Sequence, residues 1–215
     1  EKLAASFSRP YNLVVAGADP EQVRGARVSA GLFEMLGVSP SQGRTFTDEE
    51  DQPGRENVVI LGHGLWKRRF GGDPNIVGQS ITLSASSYTV IGIMPATFQF
   101  PDRETEFWAP IAFTARQAQQ HGSHYLVVVG RLKRDVTAGQ AAVEMQSIAA
   151  RLAEQHPNSN AGWSTNIFPL QEYEVRDIKS GLFFLLGAVA LVLLIACTNV
   201  ANLLLARSTA RQKEI

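Results

Sequence analysis

The chain has one cysteine, Cys197, among its 215 residues. No intrachain disulfide is possible, and a lone buried thiol behaves as a small apolar residue. An excess of either charge is also missing: 20 Lys and Arg stand against 20 Asp and Glu. A neutral balance removes any global electrostatic attraction to nucleic acid or to a phosphorylated surface. Gly-x-x-x-x-Gly-Lys-Ser/Thr does not occur, which excludes a P-loop nucleotide site in this stretch, and neither does a Gly-x-Ser-x-Gly nucleophile elbow. Histidine is scarce. Of His63, His121, His124 and His156, only His121 and His124 are close, without a third ligand or a helical setting, so a surface loop is the expectation there rather than a metal site. No nucleophile–base set is visible, and an enzyme is not expected. Repeats, low-complexity tracts and long linkers are absent from residues 1–180.

One long apolar run is present. Residues 181–198 read GLFFLLGAVALVLLIACT without a charge, and the run continues through ANLLLA to Ala206. Twenty-six helical residues span about 39 Å against a hydrocarbon layer of roughly 30 Å. Eleven Leu, Ile, Val or Phe in the first eighteen contribute about −5 kcal/mol to insertion. Residues 181–206 are therefore expected to form a transmembrane helix in contact with membrane lipid. Arg207, Arg211 and Lys213 follow the run and Arg176 and Lys179 precede it, a bias that places 207–215 in the cytoplasm and 1–180 outside it. That topology calls for an upstream signal or earlier span. Asn199 and Asn202 share a helix face with Ile195 and Ala206, a pattern suited to packing against other helices.

Ahead of the run, strand-like stretches lie at Asn12–Ala16, Glu21–Val28 and Val58–Leu61, and a short helix over Ala30–Leu36 is capped by Gly37. In the acidic run 47–51, Thr47 is expected to cap a helical turn whose carboxylates favour its N-terminus, rather than to build a metal or acid–base site. A strand from Tyr125, a capping box at Thr137 and Gln140, a helix with Ala141, Met145, Ile148 and Leu152 in one stripe, a stop at Pro157 and a strand over Trp163–Leu170 follow. This order predicts an α+β domain with a split-βαβ, ferredoxin-like lobe over 125–170 and a second, strand-rich lobe over 58–111.

The stretch LWKRRFGGDPNIVGQSI, residues 65–81, packs three cations against two glycines. A phosphate cradle needs glycines at a helix N-terminus; here they follow the helix. Leu65, Trp66 and Phe70 are expected to be buried, Lys67, Arg68 and Arg69 to point largely to water, Gly71 or Gly72 to end the helix, and Ile76–Leu83 to pair with Tyr88–Met94 across Ser84–Ser87.

LFEMLGVSPSQGRTFTDEED, VVILGHGLWKRRFGGDPNIVGQSITL, YTVIGIMPATFQFP and VVVGRLKRDVTAGQAAVEMQSIAARLAEQHP resemble the periplasmic core domain of MacB-like ABC transporter permeases. LLIACTNVANLLLARSTARQKEI resembles the start of their FtsX-like permease domain. One departure is Ser84-Ala85-Ser86, where an Asn-Gly-type turn is expected. The resemblance implies a bacterial inner-membrane permease with four membrane helices and a large domain between the first and second. It implies a second permease subunit and an ABC ATPase, separate or fused, as partners, with an adaptor or outer-membrane component beyond them. ATP belongs to that ATPase; no cofactor is expected in this stretch. ATP-driven dimerisation of the ATPase would move the membrane helices and so the periplasmic domain, for efflux or extraction of a substrate the sequence does not name. Arg211, Lys213 and Glu214 would lie in the segment leading to the ATPase contact. A membrane-anchored scaffold that regulates a cell-envelope partner without transport is the alternative.

Overall fold

The first strand is the longest. In the computed structural model, which describes residues 2–15, 17–172 and 184–199, β1 spans Lys2–Val14. It runs further towards the N-terminus than the stretch expected at Asn12–Ala16. Pro10 speaks against a central strand, but residues 7–12 pair on one side only, where a missing N–H is tolerated. The strand β2 (Glu21–Val28), the helix α1 (Leu32–Leu36) and the two-residue β3 (Gln42–Gly43) follow. Then come β4 (Val58–Leu61), α2 (His63–Phe70), β5 (Ser80–Leu83), β6 (Ser86–Ile93) and β7 (Phe107–Pro110). The short α3 (Ala115–Ala118), β8 (Val127–Arg131), α4 (Ala138–Gln155) and α5 (Pro157–Asn160) complete the first of two compact units, residues 1–166.

The architecture is mixed α+β. The strand pairings close on themselves: β1 pairs β2, β2 pairs β7, β7 pairs β4, β4 pairs β6, β6 pairs β5, and β5 returns to β1 through Leu13 and Val14. Closure removes most free edges from this ring. Alternation along the strands then sends one set of side chains inward. Tyr11, Leu13, Val23, Val59, Leu61, Leu83, Val90 and Phe107 join one buried cluster, with Leu65 and Trp66 of α2 packed on it. The opposite faces of β2, β4 and β7 present Ala26, Val28, Ile60 and Trp108 to a second cluster with Leu32, Phe33 and Met35 of α1.

β1 also extends past the ring. Its residues 2–6 pair with β8, while residues 6–13 pair with β2, so Ser6 is opposite both Val28 and Val127 and is wholly buried. Beyond β8, α4 starts as expected: Thr137 Oγ1 accepts from Gln140 N–H (3.2 Å) and the Gln140 side chain accepts from Thr137 N–H (2.9 Å). Its apolar stripe is packed only at the start. Ala141 is buried, Met145 and Ile148 are half-buried, and Leu152 is 37% exposed.

Three expectations are corrected. Residues 163–169 form no strand; Trp163 stacks on His124 instead, ring centres 3.9 Å apart. Residues 74–76 form a 3-10 turn, because Asp73 accepts from Asn75 N–H (2.9 Å), and the strand after it begins only at Ser80. The hairpin uses a two-residue loop, with Leu83 opposite Ser86 and both Ser84 (φ 49°) and Ala85 (φ 67°) left-handed. Positive φ at both central positions is the geometry that Asn-Gly satisfies more cheaply.

Candidate functional site

Of the residues expected to pack helices or to couple to an ATPase, Asn199 alone lies within the described part of the chain. Residues 184–199, in the second unit, are helical, with Phe184 82%, Leu185 63% and Ile195 61% exposed. Sixteen residues rise about 24 Å, and among the described residues no helix is long and apolar enough to cross a membrane. Asn199 is exposed, four residues from Ile195 and hence on its face. The Thr198 hydroxyl donates to Leu194 O at 2.7 Å, so it is satisfied within the helix. Asn202, Ala206, Arg211, Lys213, Glu214 and the ends of the expected 181–206 span lie outside the described residues.

In the first unit, Lys67 and Arg68 of α2 are exposed as expected, while Arg69 is largely covered, and both arginines are tied to carboxylates or backbone. Arg68 Nη2 donates to Glu106 Oε1 (2.6 Å) and Glu21 Oε1 (2.8 Å). Arg69 Nη2 donates to Asp19 O (2.7 Å), and its Nε lies 3.2 Å from Glu21 Oε2. The hydrogen bond to Glu106, then that to Glu21, raises the Arg68 pKa above its ordinary value. Two of the three cations thus fasten α2 to the start of β2 and the segment before β7. Lys67 has no carboxylate partner among the described residues; its Nζ lies 4.5 Å from the Trp66 ring centre. Trp66 is 7% exposed and its Nε1 donates to Asp73 O at 2.9 Å. Gly71, at φ 62°, ends the helix in the left-handed region. No phosphate cradle results.

In the acidic run, Glu50 and Asp51 are taken up by structural contacts. Glu50 accepts from Thr47 N–H (2.9 Å) and from both terminal nitrogens of Arg44 (2.6 and 2.8 Å). The Arg44 bond holds the Glu50 carboxyl below its ordinary range. Asp51 accepts from Ala30 N–H (3.0 Å) and Ala112 N–H (2.7 Å), tying the entry to α1 to the segment after β7. Among the described residues no group of three or more His, Cys, Asp or Glu is placed to hold a metal ion.

A polar centre inside the ring was not anticipated. Arg27, 9% exposed, donates from Nε to Tyr11 Oη (3.1 Å), from Nη1 to Pro110 O (2.7 Å) and from Nη2 to Tyr88 Oη (2.7 Å). Among the described residues no carboxylate lies within ion-pair distance of it. A signal was available: in EQVRGARV, Arg27 shares the parity of Val23, an inward position.

These strands and helices match known proteins. A family model described as the MacB-like periplasmic core domain matches residues 1–148. The macrolide export ATP-binding/permease protein MacB of Nitrosomonas europaea is 27% identical over 181 residues, covering 81% of this chain and 26% of that protein. The pyoverdine export ATP-binding/permease protein PvdT of Pseudomonas entomophila is 26% identical over 176 residues, covering 80% of this chain and 26% of that protein. The chain therefore spans about a quarter of the length of these curated relatives. Two crystal structures share the fold. The periplasmic region of MacB from Actinobacillus actinomycetemcomitans superposes with a TM-score of 0.54 at 20% identity, over 74% of this chain and 69% of that one. The extracellular domain of the ABC-type transporter YknZ from Gram-positive bacteria gives 0.57 at 17% identity, over 77% and 81%. With the family model covering more than half of its residues, the chain belongs to the MacB-like periplasmic core domain family.

Proposed function

We propose that this chain is the extracytoplasmic domain and following membrane helix of an ABC permease subunit. In this reading it converts ATP hydrolysis on an ABC ATPase, fused or separate, into movement of the domain during efflux or extraction of a substrate. The observation that carries the reading is the order of parts: a MacB-like core domain over 1–148, then a charge-free apolar run whose described portion is a helix with exposed leucines. Large apolar side chains 49–82% exposed along this helix would be costly in water at roughly 25 cal/mol per Å², and lipid removes that cost. The relatives named above are ATP-binding/permease proteins for export, which supports placing the ATPase elsewhere than in this stretch.

Under this reading residues 181–206 span the bacterial inner membrane and 1–180 lie outside the cytoplasm. Asn199, Asn202 and Ala206 pack against neighbouring helices, including those of a second permease subunit. Arg211, Lys213 and Glu214 lead to the ATPase. An adaptor or outer-membrane component is the further partner. The split-βαβ reading of 125–170 keeps β8 and α4 and needs one more strand beside them.

The test uses the full-length protein with its ATPase in lipid nanodiscs, with a spin label introduced at exposed Lys67 of each copy. ATP analogue binding is expected to change the label–label distance, and Arg211→Glu to abolish that change while nucleotide still binds. A distance indifferent to nucleotide, with ATP turnover intact, would sink the transmission reading and leave the scaffold.

A further inference from the structure

We propose that residues 121–124 and the segment from His156 to Trp163 form a clasp that acid opens, built on a stacked pair of histidines. Three of the four histidines in the chain gather here, His156 arriving from the far side of β8 and α4. The rings of His121 and His156 lie face to face, centres 3.9 Å apart and planes 17° from parallel. Beside them Gly122 sits against α5, where an added Cβ would lie 3.4 Å from Ser159 Cβ. His124 makes the last contact: its ring is stacked on Trp163 at 3.9 Å and 11°, and its Nε2 is 3.2 Å from Asn160 Oδ1. Among the described residues no backbone hydrogen bond joins the two segments, so the joint is made by side chains.

A stack of two imidazoles accommodates one proton but not two. Once both rings are charged, like charges face each other across the stack. Among the described residues no carboxylate lies within ion-pair distance of His121, His124 or His156 to offset them. Of the elements around the pair, α5 and residues 161–166 carry no charged side chain. The last two turns of α4 carry Arg151 and Glu154 and α3 carries Arg116, all three exposed, while Tyr125 is turned to Phe7, ring centres 5.1 Å apart. Protons therefore bind the parted rings more readily than the stacked ones, and the stack is released as pH falls through the range in which imidazole charges. His124 responds in the opposite sense. Charged, it donates from Nε2 to Asn160 Oδ1 and sets a cation over the Trp163 ring. Acid thus frees His121 and Gly122 while His124 stays seated, and the segment swings about His124 instead of leaving.

Nitroxides are placed at exposed Ser123 and Asn158 of the full-length protein, otherwise free of cysteine, in lipid nanodiscs, and their dipolar broadening is followed by electron paramagnetic resonance. Between about pH 7.5 and about pH 5 the ratio of closed to open clasp should fall about fivefold, the effect of two unit charges 4 Å apart in bulk water. His121→Phe keeps a stacking ring that takes no proton, and its broadening should be as strong in acid as at neutral pH. His63→Gln, which removes the one histidine outside the clasp, should leave the acid response intact. A ratio indifferent to pH in the parent protein, or an equal acid response in His121→Phe, would overturn the proposal.

Discussion

Adding one methyl group at Gly25 should destabilise the strand ring by about 2–3 kcal/mol. Gly25 is opposite Phe107 in the parallel β2–β7 pair, and the Phe107 ring lies over the glycine. An alanine Cβ would meet the ring at 2.1 Å from Cζ and 2.5 Å from both Cε atoms. Ordinary contact begins about 1.3 Å further out, so the ring must retreat by that distance. It has no room. Phe107 is 1% exposed and sits edge-on to Tyr11 at 5.0 Å between centres, and Tyr11 is itself held by Arg27. Overpacking of this kind costs about 1–3 kcal/mol, and disturbing the aromatic pair adds about 0.5–1.5 kcal/mol. Stiffening the unfolded chain returns about 0.4–1 kcal/mol. The net corresponds to a fall in melting temperature of about 5–10 °C for a domain of this size. Urea denaturation of wild type, Gly25→Ala, Phe107→Leu and the double variant measures it. The smaller side chain makes space for the methyl, so the double variant should lose clearly less than the sum of the singles. A neutral Gly25→Ala, or strict additivity, would show that the ring is free to move and that the close packing argued here is wrong.

Trp66→Ala should cost about 3–5 kcal/mol, because the ring is buried and its N–H bonded, whereas Lys67→Ala should be nearly silent; denaturation midpoints separate the two. Ala85→Gly should stabilise the hairpin by about 1 kcal/mol, since glycine adopts the left-handed conformation without a Cβ penalty, and an unchanged or lower melting temperature would count against the turn assignment. The lowered pKa of Glu50 gives stability that is fully present above its ordinary value of 4.5 and is lost as pH falls through the lowered one. Arg44 is 52% exposed, which limits the pair to about 1 kcal/mol. Glu50→Gln should therefore lower stability at pH 7 and flatten its decline in acid, and an unaltered acid limb would remove the role assigned to the pair.

Local signals carried much of the first unit. Thr137 and Gln140 announce the start of α4, Gly37 and Gly71 end their helices, and Glu21–Val28 and Val58–Leu61 have the observed strand bounds. Each of these depends on a few neighbouring residues. What was not legible depends on distant ones. The partners of Arg68, Glu21 and Glu106, are 47 and 38 residues away, so its cluster reads as a solvated face until the fold brings β2 and β7 beside α2. Trp163–Leu170 carries β-favouring residues such as Trp163, Thr165, Ile167 and Phe168, yet strand formation also needs a neighbour to pair with, and Trp163 is taken by His124. Arg27 is the sharpest case. One cation among inward apolar positions is visible in the text, but the Tyr11 and Tyr88 hydroxyls that make its burial tolerable come from β1 and β6. The residues expected to couple to an ATPase lie outside the described part and are left to the experiment above.

The double pairing of β1 has a mechanical consequence. Five residue pairs bind it to β8 and eight bind it to β2, with Ser6 common to both sets. Hydrogen bonds in an antiparallel ladder run perpendicular to the strands. Tension applied along β1 therefore loads many rungs together in shear, while a force across it would peel them one at a time. A pull transmitted along this strand meets a stiff tie rod, and a sideways pull at the β8 end meets a zip fastener.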